Sequence, residues 1–189
     1  FSKEITKLEK ETRKVKQAMA AIDKKKNAPG YDSAPIEVHT RNDEKYAELL
    51  RDCRAGKYHS MMIGFPCSTG SIARFFNSDG PPVVRTASYP DGLPEEQIPP
   101  AYRTELRIAN KLLDRVVNLA IAAHQSTAKT TIIFENPADR SKEPGKFDRS
   151  DAEHGSIFET SSFKRLLSNV TMSSCTFAMC RFGNDSQKY

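Results

Sequence analysis

The chain has no tryptophan, and none of its four cysteines falls into a Cys-x-x-Cys pair. No histidine stands at zinc-finger spacing from a cysteine pair, which argues against a structural zinc site and leaves no metal expected. Cys53, Cys67, Cys175 and Cys180 read instead as free thiols, as in an intracellular, reducing compartment. No apolar run approaches the ~18 residues that a membrane span needs. The Phe1 end is charged where a secretory signal would be apolar, so neither a membrane partner nor a secretory signal is expected. A chain opening on Phe1 is also expected to be less than an intact translation product. Internal repeats are absent. What remains is 189 residues, 38% hydrophobic and 28% charged, which suits one globular domain with an appendage.

Charge is unevenly spread. Of the 29 Lys and Arg and 24 Asp and Glu, residues 1–26 hold nine basic and four acidic side chains, which accounts for the whole net charge of +5. The remaining body is neutral, so attraction to phosphates, if used, is concentrated in this arm. Residues 2–26 lack Gly and Pro, and Ile5, Leu8, Thr12, Val15, Met19 and Ile22 recur at alternating spacings of 3 and 4. That pattern predicts a basic amphipathic helix, laid on the body, on a partner protein or on nucleic acid. The turn-rich segment that follows marks a boundary, giving a helical arm and linker over 1–34 and a folded body over 35–189.

Along the body, extended and helical patterns alternate. A short strand is predicted over 35–40, a helix over 43–53 stopped by Gly56, and a buried strand over 60–65. The proline-rich stretch 77–102 reads as a long surface loop, with Arg74, Arg85 and Arg103 either solvated or touching phosphate. A long helix is expected over 104–124, its apolar stripe running through Leu106, Ala109, Leu113, Val116, Val117, Ala120 and Ile121, with His124 as a terminal cap. Then come a strand over 130–134, a short helix over 163–167, and a strand or strand pair over 171–182. This order implies an α/β domain with a mostly parallel sheet. Cys53 falls on the apolar face of its helix and belongs to the core, and neither Cys175 nor Cys180 is assigned a function. His39, His59 and His154 have no acidic or cysteine neighbours at ligand spacing.

Ligands of open parallel sheets bind beyond the carboxyl ends of the strands. Two polar motifs stand at such places: Phe65-Pro66-Cys67-Ser68-Thr69 and Phe134-Glu135-Asn136-Pro137. A thiolate and a carboxyl group at adjacent strand ends can address one ring, the thiolate by covalent addition and the carboxyl group by hydrogen-bonding or protonating a ring nitrogen.

In order and context these motifs resemble the cytosine-C5 DNA methyltransferase superfamily, nearest to the divergent methylase-like domains of retroelements, over about residues 55–189. The resemblance implies a partial Rossmann-like, methyltransferase-type sheet and assigns Cys67 as the nucleophile attacking cytosine C6. It implies that Glu135 contacts N3 and the exocyclic amine, that Asn136 and Pro137 shape the loop, and that Arg181 stands for part of the family's arginine motif. It further implies S-adenosylmethionine as donor and DNA as partner, with the target base out of the stack. The sequence also departs from the family. Ser68 stands where the family usually has Gln, and only Gly30, Gly56 and Gly64 precede Cys67, so the glycine-rich donor loop is missing. The chain alone is therefore expected to be incomplete or inactive as a methyltransferase. The alternative reading is a degenerate, structural subunit of a larger protein or ribonucleoprotein assembly, docked on protein or RNA through residues 1–26.

Overall fold

A computed structural model describes residues 42–76, 79–142 and 151–176. The basic arm and linker over 1–34, the strand expected over 35–40, Cys180 and Arg181 lie outside them. Among the described residues the fold is mixed α/β, with three α-helices and a two-stranded parallel sheet.

Helix α1 (Asp43–Arg54) begins where Asn42 Oδ1 accepts the amides of Glu44 and Lys45, at 2.9 and 3.1 Å. Acidic residues occupy its first turn and Arg51 and Arg54 its last, matching the helix dipole at both ends. Gly56 ends it with φ +69°, a backbone that L side chains rarely adopt.

Strands β1 (Ser60–Gly64) and β2 (Thr131–Glu135) run parallel, with Ser60 opposite Thr131 and Gly64 opposite Glu135. Side chains alternate across a sheet. Met61, Ile63, Ile132 and Phe134 accordingly face the main core, whereas Met62 is 64% exposed on the other face.

Helix α2 (Pro100–Gln125) joins the strands. It starts four residues earlier than the apolar stripe suggests, because Pro100 sits at the first helical turn, where its missing N–H costs nothing. Its burial is also wider than a single stripe. Ala109, Leu113, Val117 and Ala120 enter the main core, while Leu119 and Ala123 pack with Cys53 of α1. Leu106 forms a third cluster with Val84 and Ile98. His124, expected as a cap, is exposed in the last turn.

Helix α3 (Ser161–Asn169) is capped by the Thr160 hydroxyl and buries Phe163 and Leu166 in the main core. The Phe163 ring meets Phe134 and Phe158 edge-on, at centroid distances of 5.1 and 5.0 Å. The strand expected over 171–182 is not found over 171–176, which carry no regular structure, and 177–182 lie outside the described residues.

The proline-rich stretch differs most from expectation. Val84 is fully buried and Ile98 nearly so, and they anchor this stretch under α2. Arg85 is 1% exposed and Arg74 9%, so neither is the solvated or phosphate-facing side chain expected from a loop. Each is buried because several backbone and side-chain acceptors surround its guanidinium.

Candidate functional site

Strand pairing sets the geometry. Because Gly64 pairs with Glu135, both strands end at one level, and the segments leaving them emerge side by side. A Cβ added to Gly64 would lie 3.9 Å from Glu135 Oε2, an ordinary contact distance, so the carboxylate stands directly beside the end of β1. Asn136 Nδ2 donates to the Phe65 carbonyl at 2.9 Å and stitches the two departing segments together. Cys67 follows two residues later, partly exposed, as Glu135 is exposed at its strand end. Cys67, Glu135 and Asn136 thus belong to one edge of the sheet, and Pro137 continues that edge half-buried.

Beyond Cys67 the chain turns through a short 3-10 segment, Ser68–Gly70, closed by the Gly70 amide donating to the Cys67 carbonyl at 3.0 Å. A separate basic side chain holds each of its three residues. Arg74 Nε donates to the Ser68 carbonyl at 2.6 Å, and Arg85 Nε to Thr69 Oγ1 at 3.1 Å. His154 Nε2 lies 2.9 Å from the Gly70 carbonyl. The close approach leaves no room at 70, where a Cβ would stand 2.7 Å from Ile157 Cγ1.

The two arginines anchor this turn to the rest of the body. Arg74 also reaches the Pro82 carbonyl and forms an ion pair with Glu105 at 2.7 Å. Arg85 reaches the Pro90 carbonyl at 2.7 Å and Asn110 Oδ1 of α2 at 2.6 Å. Burial lowers its pKa to about 10, with Asp91 opposing that shift and Arg74 adding to it, so it stays charged at neutral pH.

On the β2 side, Asp139 is nearly buried. Burial pushes its carboxyl up, but the nearby His154 ring, hydrogen bonds from the Ser141 hydroxyl and amide, and the Lys142 charge outweigh it and hold the pKa at about 2. Its Oδ2 is buried without a hydrogen-bond partner, 3.8 Å from Lys142 Nζ.

The cysteines separate by environment. Cys53 is 1% exposed, and burial followed by the Asp52 charge pushes its thiol up to about 11, which makes it inert. Cys175 is exposed, and Cys67 lies between these extremes.

The sequence singled out Cys67, Glu135 and Asn136, and the fold brings them to one edge; Arg181 lies outside the described residues. Sequence reasoning missed Arg74, Arg85 and His154. His154 has an acidic neighbour after all, since Asp139 Oδ1 is 3.7 Å from its Nδ1, fifteen residues away along the chain. The only sequence signal was a cluster of basic residues in a proline-rich stretch that also carries Val84 and Ile98, apolar enough to bury it.

The described residues lack the glycine-rich turn on which binding of the expected methyl donor would rest. Gly56 uses its positive φ to stop α1 and Gly64 lies inside β1, so no glycine-rich strand-to-helix turn is present among them. Among the described residues no three His, Cys, Asp or Glu side chains form a metal-ligating group, and no helix is long and apolar enough to cross a membrane. An open groove of about 430 Å³ between α1 and α2, lined by Tyr46, Arg54, Asn118 and Gln125 among others, includes none of the site residues. Compared with protein-family models, curated proteins and solved structures, the chain matches none.

Proposed function

We propose that this chain carries the base-recognition face of a cytosine-C5 methyltransferase-like site, on a partial Rossmann-like sheet, with Cys67 as nucleophile and Glu135 as its acid-base partner. The observation that supports it is the register of Gly64 with Glu135, which brings both motifs to the carboxyl edge of adjacent parallel strands. The Cys67 thiolate adds to cytosine C6, and the electrons of the C5–C6 double bond pass to C5. Glu135 hydrogen-bonds N3 and the exocyclic amine, favouring that charge shift. Asn136 holds the Glu135 segment to the Phe65 carbonyl during the addition. C5 then takes a proton from water. Loss of a C5 proton and expulsion of the thiolate restore the base.

The described residues lack the turn on which binding of S-adenosylmethionine would rest, so the reaction assigned to them is this reversible addition, with no methyl step. It is visible as hydrogen exchange at C5. The base must stand outside a duplex stack, which makes single-stranded DNA the first substrate to test. In heavy water, the chain is expected to place deuterium at C5 of cytosines in a single-stranded oligonucleotide, read by mass spectrometry. Cys67→Ala should abolish exchange and Glu135→Gln should slow it on the order of 100-fold. Absence of exchange with the native chain, or exchange that survives Cys67→Ala, overturns the reading.

A second reading rests on the charge segregation, because the whole net charge of +5 resides in residues 1–26. In that reading the domain is a structural subunit docked through the arm on a protein or RNA surface. Deleting residues 1–26 then abolishes incorporation into the assembly and leaves the body folded; unchanged incorporation rejects it.

A further inference from the structure

Of the three basic side chains on the turn after Cys67, only His154 also bonds to the segment after Glu135. Arg74 and Arg85 direct their remaining hydrogen bonds to Pro82, Glu105, Pro90 and Asn110. His154 instead accepts the Arg140 amide at Nδ1, 3.0 Å away, while its Nε2 meets the Gly70 carbonyl at 2.9 Å. A backbone amide only donates and a carbonyl only accepts, so this pair of bonds selects the neutral ring with its proton on Nε2. The ring is 2% exposed and sits edge-on to Phe75, at a centroid distance of 5.8 Å. Gly70 lies three residues after Cys67, and Arg140 five after Glu135.

We infer that His154 is a positioning residue that fixes the loop carrying Cys67 against the loop carrying Glu135, and that its protonation breaks this link. The role in base chemistry rests on the function proposed above; the mechanical link does not. A proton on Nδ1 breaks the bond from the Arg140 amide to the ring and presents a donor to Asp139 Oδ1, 3.7 Å away. Asp139 is suited to receive it, since its other oxygen is buried and has no hydrogen-bond partner. The charged groups around the ring are Asp139 and Lys142 from the β2 segment, with Glu159 pairing Lys142. Asp151 and Glu153 flank it in sequence, and the Asp151 carbonyl accepts the His154 amide. From the proline-rich stretch, Thr86 forms a bridge with it and keeps the adjacent Arg85 backbone close, while the Arg85 guanidinium points to Thr69. Protonation therefore moves the bond from the Arg140 backbone to the Asp139 side chain and shifts one loop relative to the other.

The test uses the full chain, with iodoacetamide labelling of each cysteine resolved by mass spectrometry. The rate at Cys67 is divided by that at exposed Cys175, and buried Cys53 reports on the fold. His154→Gln keeps a donor for Gly70 but no acceptor for Arg140, and His154→Asn does the reverse, so neither bridges both. Both variants should keep Cys53 protected, change the Cys67 ratio by at least about twofold, and slow C5 exchange on the order of 100-fold. In the native chain the ratio should differ between pH 8 and pH 5, and this step should vanish in both variants. Asp139→Asn leaves both bonds of the neutral ring, so it should match the native ratio at pH 8 and lose or lower the step. Native ratios and pH profiles in the His154 variants overturn the inference, and so does an unchanged step in Asp139→Asn if the His154 variants expose Cys53. If the native chain shows no C5 exchange while the ratios and the step respond as stated, the base-addition reading fails and the link stands.

Discussion

Arg85 keeps 1% of its surface in water and still carries its charge, because Thr69, Pro90 and Asn110 each offer an acceptor. A buried cation of this kind stabilises little by itself. It does require every group around it to stay in place, which keeps the turn after Cys67 fixed. Asp139 is the acidic counterpart, and its pH dependence has a definite sign. Its folded pKa of about 2 is below the ordinary 3.8, so its contribution is full above pH ~4 and is lost as pH falls through 2. Urea unfolding at pH 7 and at low pH should show an acid loss of about 2 kcal/mol that Asp139→Asn removes. At this scale legibility followed locality. That Cys67, Glu135 and Asn136 stand at or just beyond strand ends could be read because a strand end and its motif are neighbours in sequence. Arg85 and His154 could not, since burying a basic side chain depends on acceptors far along the chain, as with Gly70, 84 residues from His154.

Helices and strands were read most securely where an apolar period and a stop signal coincided. Helix α1, with Tyr46, Leu49, Leu50 and Cys53 on one face and Gly56 after it, shows both. The long helix α2 was recognised from one stripe, yet three clusters bury it on different sides, and no single-face pattern contains that information. The proline-rich stretch misled for a related reason. Proline blocks regular structure without blocking burial, and Val84 and Ile98 find a core through short turns alone. The β-branched and aromatic residues after 170 suggested a strand, but strand propensity needs a pairing edge to act on, and 171–176 have none in the described structure. The burial pattern of α2 separates positions of similar chemistry. Leu113→Ala, at a site 1% exposed, should cost about 3 to 4 kcal/mol in denaturant unfolding. Ile108→Ala, 44% exposed on the same helix, should cost under about 1 kcal/mol.

For the whole molecule, the alternation of elements correctly implied a mixed α/β domain with parallel strands, and the neutral body agrees with a core held by packing and internal ion pairs such as Arg74 with Glu105. The extent of the sheet was not legible, because periodicity identifies strands without counting their neighbours. The two strands are paired across a long intervening chain, and the stitch from Asn136 to Phe65 spans 71 residues. Contacts of that separation must await closure of the loop between them, which is slow, whereas α2 can form on its own within microseconds. Asn136→Ala should therefore speed unfolding and leave the refolding rate nearly unchanged in stopped-flow measurements, the mark of a bond made after the transition state. The same register that aligns the two motifs thus gives the molecule an order of assembly. Helices and the small apolar clusters come first, and the ends of β1 and β2 come together only when the long loop between them shuts. A nascent chain therefore carries no paired strand edge until synthesis has passed β2.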